Sequence, residues 1–205
     1  MPAVVLTAKL RLTLGLCAAL LAPTAHACPA GQTEVCVVSC FCAPGGKDEL
    51  AALLDPVKQM AAGALQSWLL QAYRAALLNE MHSMPLHIRA QLAPFYSEQL
   101  LDLVRYQVGA DSQLNAANAM LQNPDVNAVT LLDIVVFRHA EDVQNNTLLW
   151  AHELKHVQQY QEWGVEGFAS RYSRDYRLVE APAYAMQSQV RYALRAAAEP
   201  PKLAH

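Results

Sequence analysis

Two histidines four residues apart, with a glutamate beside the first, constrain this chain more than any other feature. They lie in the run Leu149-Trp150-Ala151-His152-Glu153-Leu154-Lys155-His156-Val157. Side chains at i and i+4 stack on one face of an α-helix, so a helix here lets His152 and His156 offer two imidazole nitrogens to a single ion. Neutral imidazole suits zinc, a borderline-soft cation whose catalytic sites use three protein ligands and leave the fourth position open. Glu153 is then placed to act as general base, taking a proton from water whose pKa the metal lowers toward about 7. The run therefore predicts metal-assisted hydrolysis with Zn2+. Lys155 lies about 100° round the helix from His156 and is expected to face away from the ion.

Two ligands leave a third to be found. Six residues beyond His156 stands Glu162, not histidine, which excludes the arrangement with a third His at that position. Glu162 and Glu166 are too close in sequence to fold back onto the pair. Glu180, 24 residues after His156, opens the next long helical stretch, and a helix–loop–helix return of that length brings its carboxylate to the histidines. A glutamate there also suits the positive end of a helix, which is its alternative role. Asp175 and His139 are the weaker candidates, and His82 and His87 have no ligand-like partner. Tyr184, one turn after Glu180 on the same face, is the candidate donor to a developing oxyanion, or else a packed tyrosine.

The N-terminus points to export. Lys9 and Arg11 precede an apolar stretch from Leu12 to Leu21, then Pro23 and the small-residue site Ala25-His26-Ala27 before Cys28. That is the layout of a cleavable signal peptide over residues 1–27, with an apolar core too short to span a bilayer, and it predicts a periplasmic or secreted protein. A lipoprotein acylated at Cys28 is the lesser alternative, since Ala25 and His26 fit such a signal poorly. Cleavage also removes Cys17. Cys28, Cys36, Cys40 and Cys42 remain in a segment covering 28–46, and an even cluster in an exported chain reads as two disulfides with three possible connectivities. A zinc knuckle would want paired Cys-x-x-Cys halves, which are absent. The mature chain carries 18 acids against 13 Lys and Arg, because Lys9 and Arg11 leave with the leader, and is formally −5. Its basic residues are dispersed, so nucleic acid is not an expected partner, and the local cluster Arg171, Arg174 and Arg177 reads as a solvated helix face.

From Lys47 to residue 198 the pattern is that of one mainly helical α+β domain, followed by a tail over 199–205. Asp55-Pro56 reads as an N-cap and first helical residue of a long amphipathic helix ending near Glu80, with Met60, Trp68 and Tyr73 as core contacts. Short helices are expected over Ile88 to Leu92 and Phe95 to Leu101, and strands over Leu103 to Val108 and Ala128 to Phe137. A polar helix around Gln113 to Leu121 and a turn at Asn123-Pro124-Asp125 fall between the strands. The second strand, rich in β-branched residues and just upstream of the motif, is the natural place for an extended peptide to dock. The motif helix should be capped by Asn146 or Thr147 and stop at Gly164 in a left-handed conformation. A helix from Glu166 to Tyr176 should follow, and Glu180-Ala181-Pro182 should open the last one.

Several of these runs carry a family resemblance. Met84-Pro85-Leu86-His87-Ile88-Arg89, Val104-Arg105-Tyr106, Ala128-Val129-Thr130-Leu131, Ile134-Val135-Val136-Phe137, His152 through Tyr160, Trp163-Gly164-Val165-Glu166-Gly167-Phe168-Ala169 and Glu180 resemble the core domain associated with extracellular contractile injection systems (eCIS). The likeness spans about Pro85 to Tyr184. It implies a zincin-like fold with a small sheet beside the motif helix, a metallopeptidase site acting on a peptide or protein, and an injection-system or cell-envelope partner. Lys155 and Gln158 stand where zincin peptidases usually carry uncharged and apolar residues, whereas glutamines after the motif are common in the resembled family. Two readings follow: an exported zinc metallopeptidase, or a binding or assembly module whose metal is structural or absent.

Overall fold

A computed structural model describes residues 28–37, 39–109 and 127–198. The expected signal peptide, the helix and turn placed between Gln113 and Asp125, and the tail lie outside those residues.

The cysteine segment folds as an antiparallel hairpin of β1 (Gln32–Val37) and β2 (Ser39–Pro44), with Cys36 opposite Cys40. Nested disulfides, Cys28–Cys42 and Cys36–Cys40, select one of the three connectivities and leave no thiol for a zinc knuckle or for acylation of Cys28. Two such bridges fit an oxidising compartment.

Helix α1 (Lys47–Ala76) starts eight residues before the predicted cap, so Pro56 lies in its third turn rather than its first. Gly46 takes the cap position, and Asp48 and Glu49 in the first turn favour the positive helix end. Leu65, Leu69 and Ala76 are buried, but Met60 is 75% exposed, which removes it from the expected core stripe. Trp68 and Tyr73 do pack against the core.

The second sheet has the order β3-β4-β6-β5, formed by His82–Ser83, Arg105–Val108, Ile134–Phe137 and Ala128–Leu131 respectively. Strands β4 and β6 run parallel and the other pairs antiparallel. The run Ala128 to Phe137 is thus a hairpin and not the single strand its composition predicts. Leu132, at φ 59, and Asp133 form the two-residue turn. Every residue of β5 and β6 is buried, and alternate side chains enter different clusters. Val135, Phe137 and Ala128 join one cluster with Trp150, Ala151 and Leu154, while Ile134, Val136, Val129 and Leu131 join the other with Leu65, Leu69 and Phe168. A sheet covered on both faces shows no polar alternation to betray a turn.

Short helices α2 (Leu86–Leu92) and α3 (Glu98–Leu103, capped by Ser97) join β3 to β4, and α4 (Ala140–Asn145) follows β6. Helix α5 (Thr147–Arg174) carries the histidine pair and α6 (Arg177–Ala198) carries Glu180. Helix α5 is capped by Asn146, whose side chain accepts from the Leu149 amide at 3.0 Å, and it breaks at Gly164. There φ 66 with ψ 172 is a conformation essentially restricted to glycine, extended in ψ rather than left-handed helical. Helix α6 begins three residues before Glu180, which puts Pro182 in the second turn, not the first. No helix among the described residues is long and apolar enough to cross a membrane.

Candidate metal centre

The N-terminal half of α5 presents His152 and His156 from one face, in a helix buried by Trp150, Ala151, Leu154 and Val157 on its sheet side. Two anchors hold that half. The Trp150 indole donates to the Val143 carbonyl at 2.9 Å, and the buried Tyr96 phenol donates to the Ala151 carbonyl, one residue before the first histidine. After the break at Gly164 the chain returns through α6, where buried Val179, Ala183 and Val190 set the face that packs. Glu180, one residue after Val179, is thereby brought back over the histidines.

Nε2 of His152 lies 3.1 Å from Nε2 of His156 and 3.1 Å from Oε2 of Glu180, and the His156 to Glu180 separation is 3.6 Å. Ligand atoms held tetrahedrally at about 2.0–2.1 Å from zinc stand roughly 3.3–3.4 Å from one another, so the triangle matches a zinc site in size and in donor chemistry. Burial alone would lower the His156 pKa, but the hydrogen bond and charge of Glu180, with Glu153 and Gln159 adding, raise it to about 9. Burial pushes the Glu180 carboxyl up, and the two histidines outweigh it and hold the group well below the usual carboxylate range. His156 and Glu180 thus favour each other's charged forms.

Glu153 is buried, and its Oε2 accepts from the Thr130 hydroxyl at 2.7 Å. A hydroxyl has one proton, so this contact, rather than the 3.1 Å approach to the Glu153 carbonyl, takes it. The site opens into a cavity of about 170 Å³ walled by residues of β5, Leu149, Phe168, Tyr172 and Tyr184. Tyr184 is 52% exposed and its ring lies edge-on to that of His152, with centroids 4.6 Å apart. Burial first, then the negative charge of Glu180 and Glu153, raises its phenol pKa. The more buried Tyr172 phenol is raised by burial first and then by the neighbouring Glu180 carboxylate.

Of the residues singled out in the sequence, His152, His156 and Glu180 form one cluster, with Glu153 and Tyr184 lining its cavity. The alternatives do not join them. Asp175 is engaged by Arg177, His139 precedes α4 in an exposed position, and Glu162 and Glu166 face solvent. Lys155 turns to Gln158, with Nζ 3.2 Å from Oε1, and not to the cluster. Arg177 is not a free solvated cation either, since it pairs with Asp175 and with Glu34 of the disulfide hairpin. Sequence reasoning missed Thr130, Tyr172 and Gln159. Thr130 carried a signal, being the one hydroxyl in an otherwise apolar β5–β6 run, and Gln159 carried another, one turn beyond His156.

Searches among curated proteins and among solved structures return no match. A family model does match, over residues 83–164, and it is that of the eCIS core domain. The matched segment runs from β3 to the break in α5, so it includes His152, Glu153 and His156 and stops short of Glu180. Over residues 83–164, then, the chain is similar to the eCIS core domain.

Proposed function

We propose that this protein is a zinc-dependent peptide hydrolase of a zincin-like type, exported from the cytoplasm, with His152, His156 and Glu180 as metal ligands. The convergence of those three ligand atoms beside a carboxylate in an open cavity carries the reading. Bound zinc would supply Lewis acidity toward water and toward a scissile carbonyl. Glu153, fixed by Thr130, would take the proton of the attacking water and return it to the leaving amine. Tyr184, at the cavity mouth with its phenol protonated at neutral pH, would donate to the oxyanion.

Strand β5 supports a peptide as the substrate. Among the described residues it is the sheet edge, and its pairing with β6 alternates. The Arg138 amide bonds the Asn127 carbonyl, so residues 127, 129 and 131 face β6 and the main-chain groups of Ala128 and Thr130 turn outward beside the cavity. An extended peptide adding there as a further strand would lie across the site. The eCIS core match supports an injection-system or cell-envelope setting for that chemistry.

One observation favours a closed, structural ion instead: His152 and His156 are only 8% and 7% exposed. Glu153→Gln separates the readings. In a hydrolase it should keep near-stoichiometric zinc while turnover of a mixed peptide library falls by about 10²- to 10⁴-fold. A protein with full zinc and no peptide cleavage in the unsubstituted form would leave the structural reading standing. His152→Ala should lose the metal under either.

A further inference from the structure

Gln159 is among the most deeply buried side chains, 1% exposed, and it touches both histidine-bearing and glutamate-bearing elements. Its Nε2 lies 2.8 Å from the carbonyl oxygen of Val179, the residue before Glu180, and its Oε1 lies 2.8 Å from Nδ1 of His156. A carbonyl can only accept, so the Val179 contact must be made by the amide NH2, and the Gln159 oxygen is left to face His156. An amide oxygen can only accept in turn, so Nδ1 of His156 must carry a proton. The proton that zinc displaces is therefore the one on Nε2, and Nε2, beside Nε2 of His152 and the Glu180 carboxylate, is the nitrogen left to an ion.

From this chain of obligatory donors and acceptors we infer that Gln159 is the positioning residue of the metal centre: it fixes which nitrogen of His156 is offered to the ion and ties that ring to the backbone that carries Glu180. The inference rests on the zinc reading above. It makes Gln159, which lies within the eCIS core match, a determinant of affinity without contact to the ion. Glu180 lies outside that match, so the contact to Val179 is also the link between the matched segment and the rest of the site.

The test compares wild type, Gln159→Leu and Gln159→Glu, purified in full length with both disulfides formed and stripped of metal. Zinc affinity is read by chelator competition, and the cobalt-substituted proteins are read by proton NMR for the shifted, exchange-protected Nδ1–H of a ligating histidine. Wild type should show that signal. Gln159→Leu should lose it to solvent exchange and bind zinc about 10- to 100-fold more weakly, the usual cost of removing a partner behind a ligating histidine. Gln159→Glu keeps an acceptor for Nδ1–H but no donor for Val179, and should retain the signal with intermediate affinity. It also covers the case in which the leucine variant fails to fold. Wild-type affinity together with a retained Nδ1–H signal in Gln159→Leu overturns the role of Gln159 alone, whereas a wild type that binds no zinc overturns this inference and the zinc reading together.

Discussion

On the zinc-hydrolase proposal, Thr130 would govern the chemistry with no direct part in ligation. Its hydroxyl is the only side-chain donor described at Glu153, and the pair is buried, so the bond is made to a charged group away from water. Hydrogen bonds of that kind contribute about 1.5–3 kcal/mol, which corresponds to roughly 10- to 100-fold if the whole effect falls on the transition state. Thr130→Val, close in shape, should lower kcat/KM by that factor and leave zinc stoichiometry unchanged, a split that steady-state kinetics and metal analysis on one sample will reveal. His156 gives a second prediction at this scale. Its folded-state pKa is raised, so its pairing with Glu180 stabilises the metal-free fold fully below the ordinary histidine value near 6.5 and loses that contribution as pH rises through about 9. Glu180 is shifted the other way, so its contribution is present above the usual carboxylate range and is lost on acidification. Zinc must displace the His156 proton, and apparent affinity should therefore climb roughly tenfold per pH unit up to about pH 9. Competition titrations at three pH values check the slope, and a flat profile would show that His156 is neutral before the metal arrives.

Among the elements, the break in α5 sets whether Glu180 returns to the two histidines. Gly164 sits at φ 66, ψ 172 with no neighbour within 4 Å of where a Cβ would stand, so Gly164→Ala meets no clash and its cost is conformational alone. A residue forced into that region costs of order 1–3 kcal/mol. The variant should lower the unfolding midpoint accordingly and weaken zinc binding, because the direction of the second half of α5 sets the return of Glu180. Equal zinc affinity would mean that α6 is positioned independently of the break. This glycine was legible in the sequence, as were the Asn146 cap and the return of Glu180 to the histidines, because each rests on a local steric or spacing rule. Elsewhere local rules were outweighed. Ala128 to Phe137 read as one strand because both faces are buried, and a Leu132-Asp133 turn offers none of the usual glycine or asparagine. Asp55-Pro56 looked like a helix start, yet α1 begins at Lys47, where the hairpin ends. Thr130 and Gln159 escaped because their roles arise only when a strand and a second helix meet the motif helix.

At the scale of the whole molecule, two apolar clusters lie on the two faces of one sheet, and the ligand-bearing helices belong to both of them. The disulfide hairpin belongs to neither. Its strand β1 packs on α1 and α5, and toward Glu180 it is tied by Arg177, three residues before that glutamate, whose guanidinium pairs with Glu34 at 3.1 Å and lies 3.2 Å from Sγ of Cys36. Arg177 and Glu34 are each nearly half exposed, and ion pairs in such positions contribute about 0–1 kcal/mol. The disulfides are the stronger restraint on the segment: closing a loop of about 15 residues is worth roughly 3 kcal/mol in chain entropy, and Cys28–Cys42 closes one of nearly that size. Reduction should therefore release the hairpin and leave the cluster of His152, His156 and Glu180 in place. With both bridges reduced by a phosphine that does not chelate zinc, amide exchange over residues 28–46 should accelerate strongly while exchange in α5 and the zinc content stay as before. If zinc is lost in step with reduction, the hairpin holds α6 through Arg177 more firmly than its exposed ion pair implies, and Arg177→Ala in the oxidised protein should then reproduce the loss.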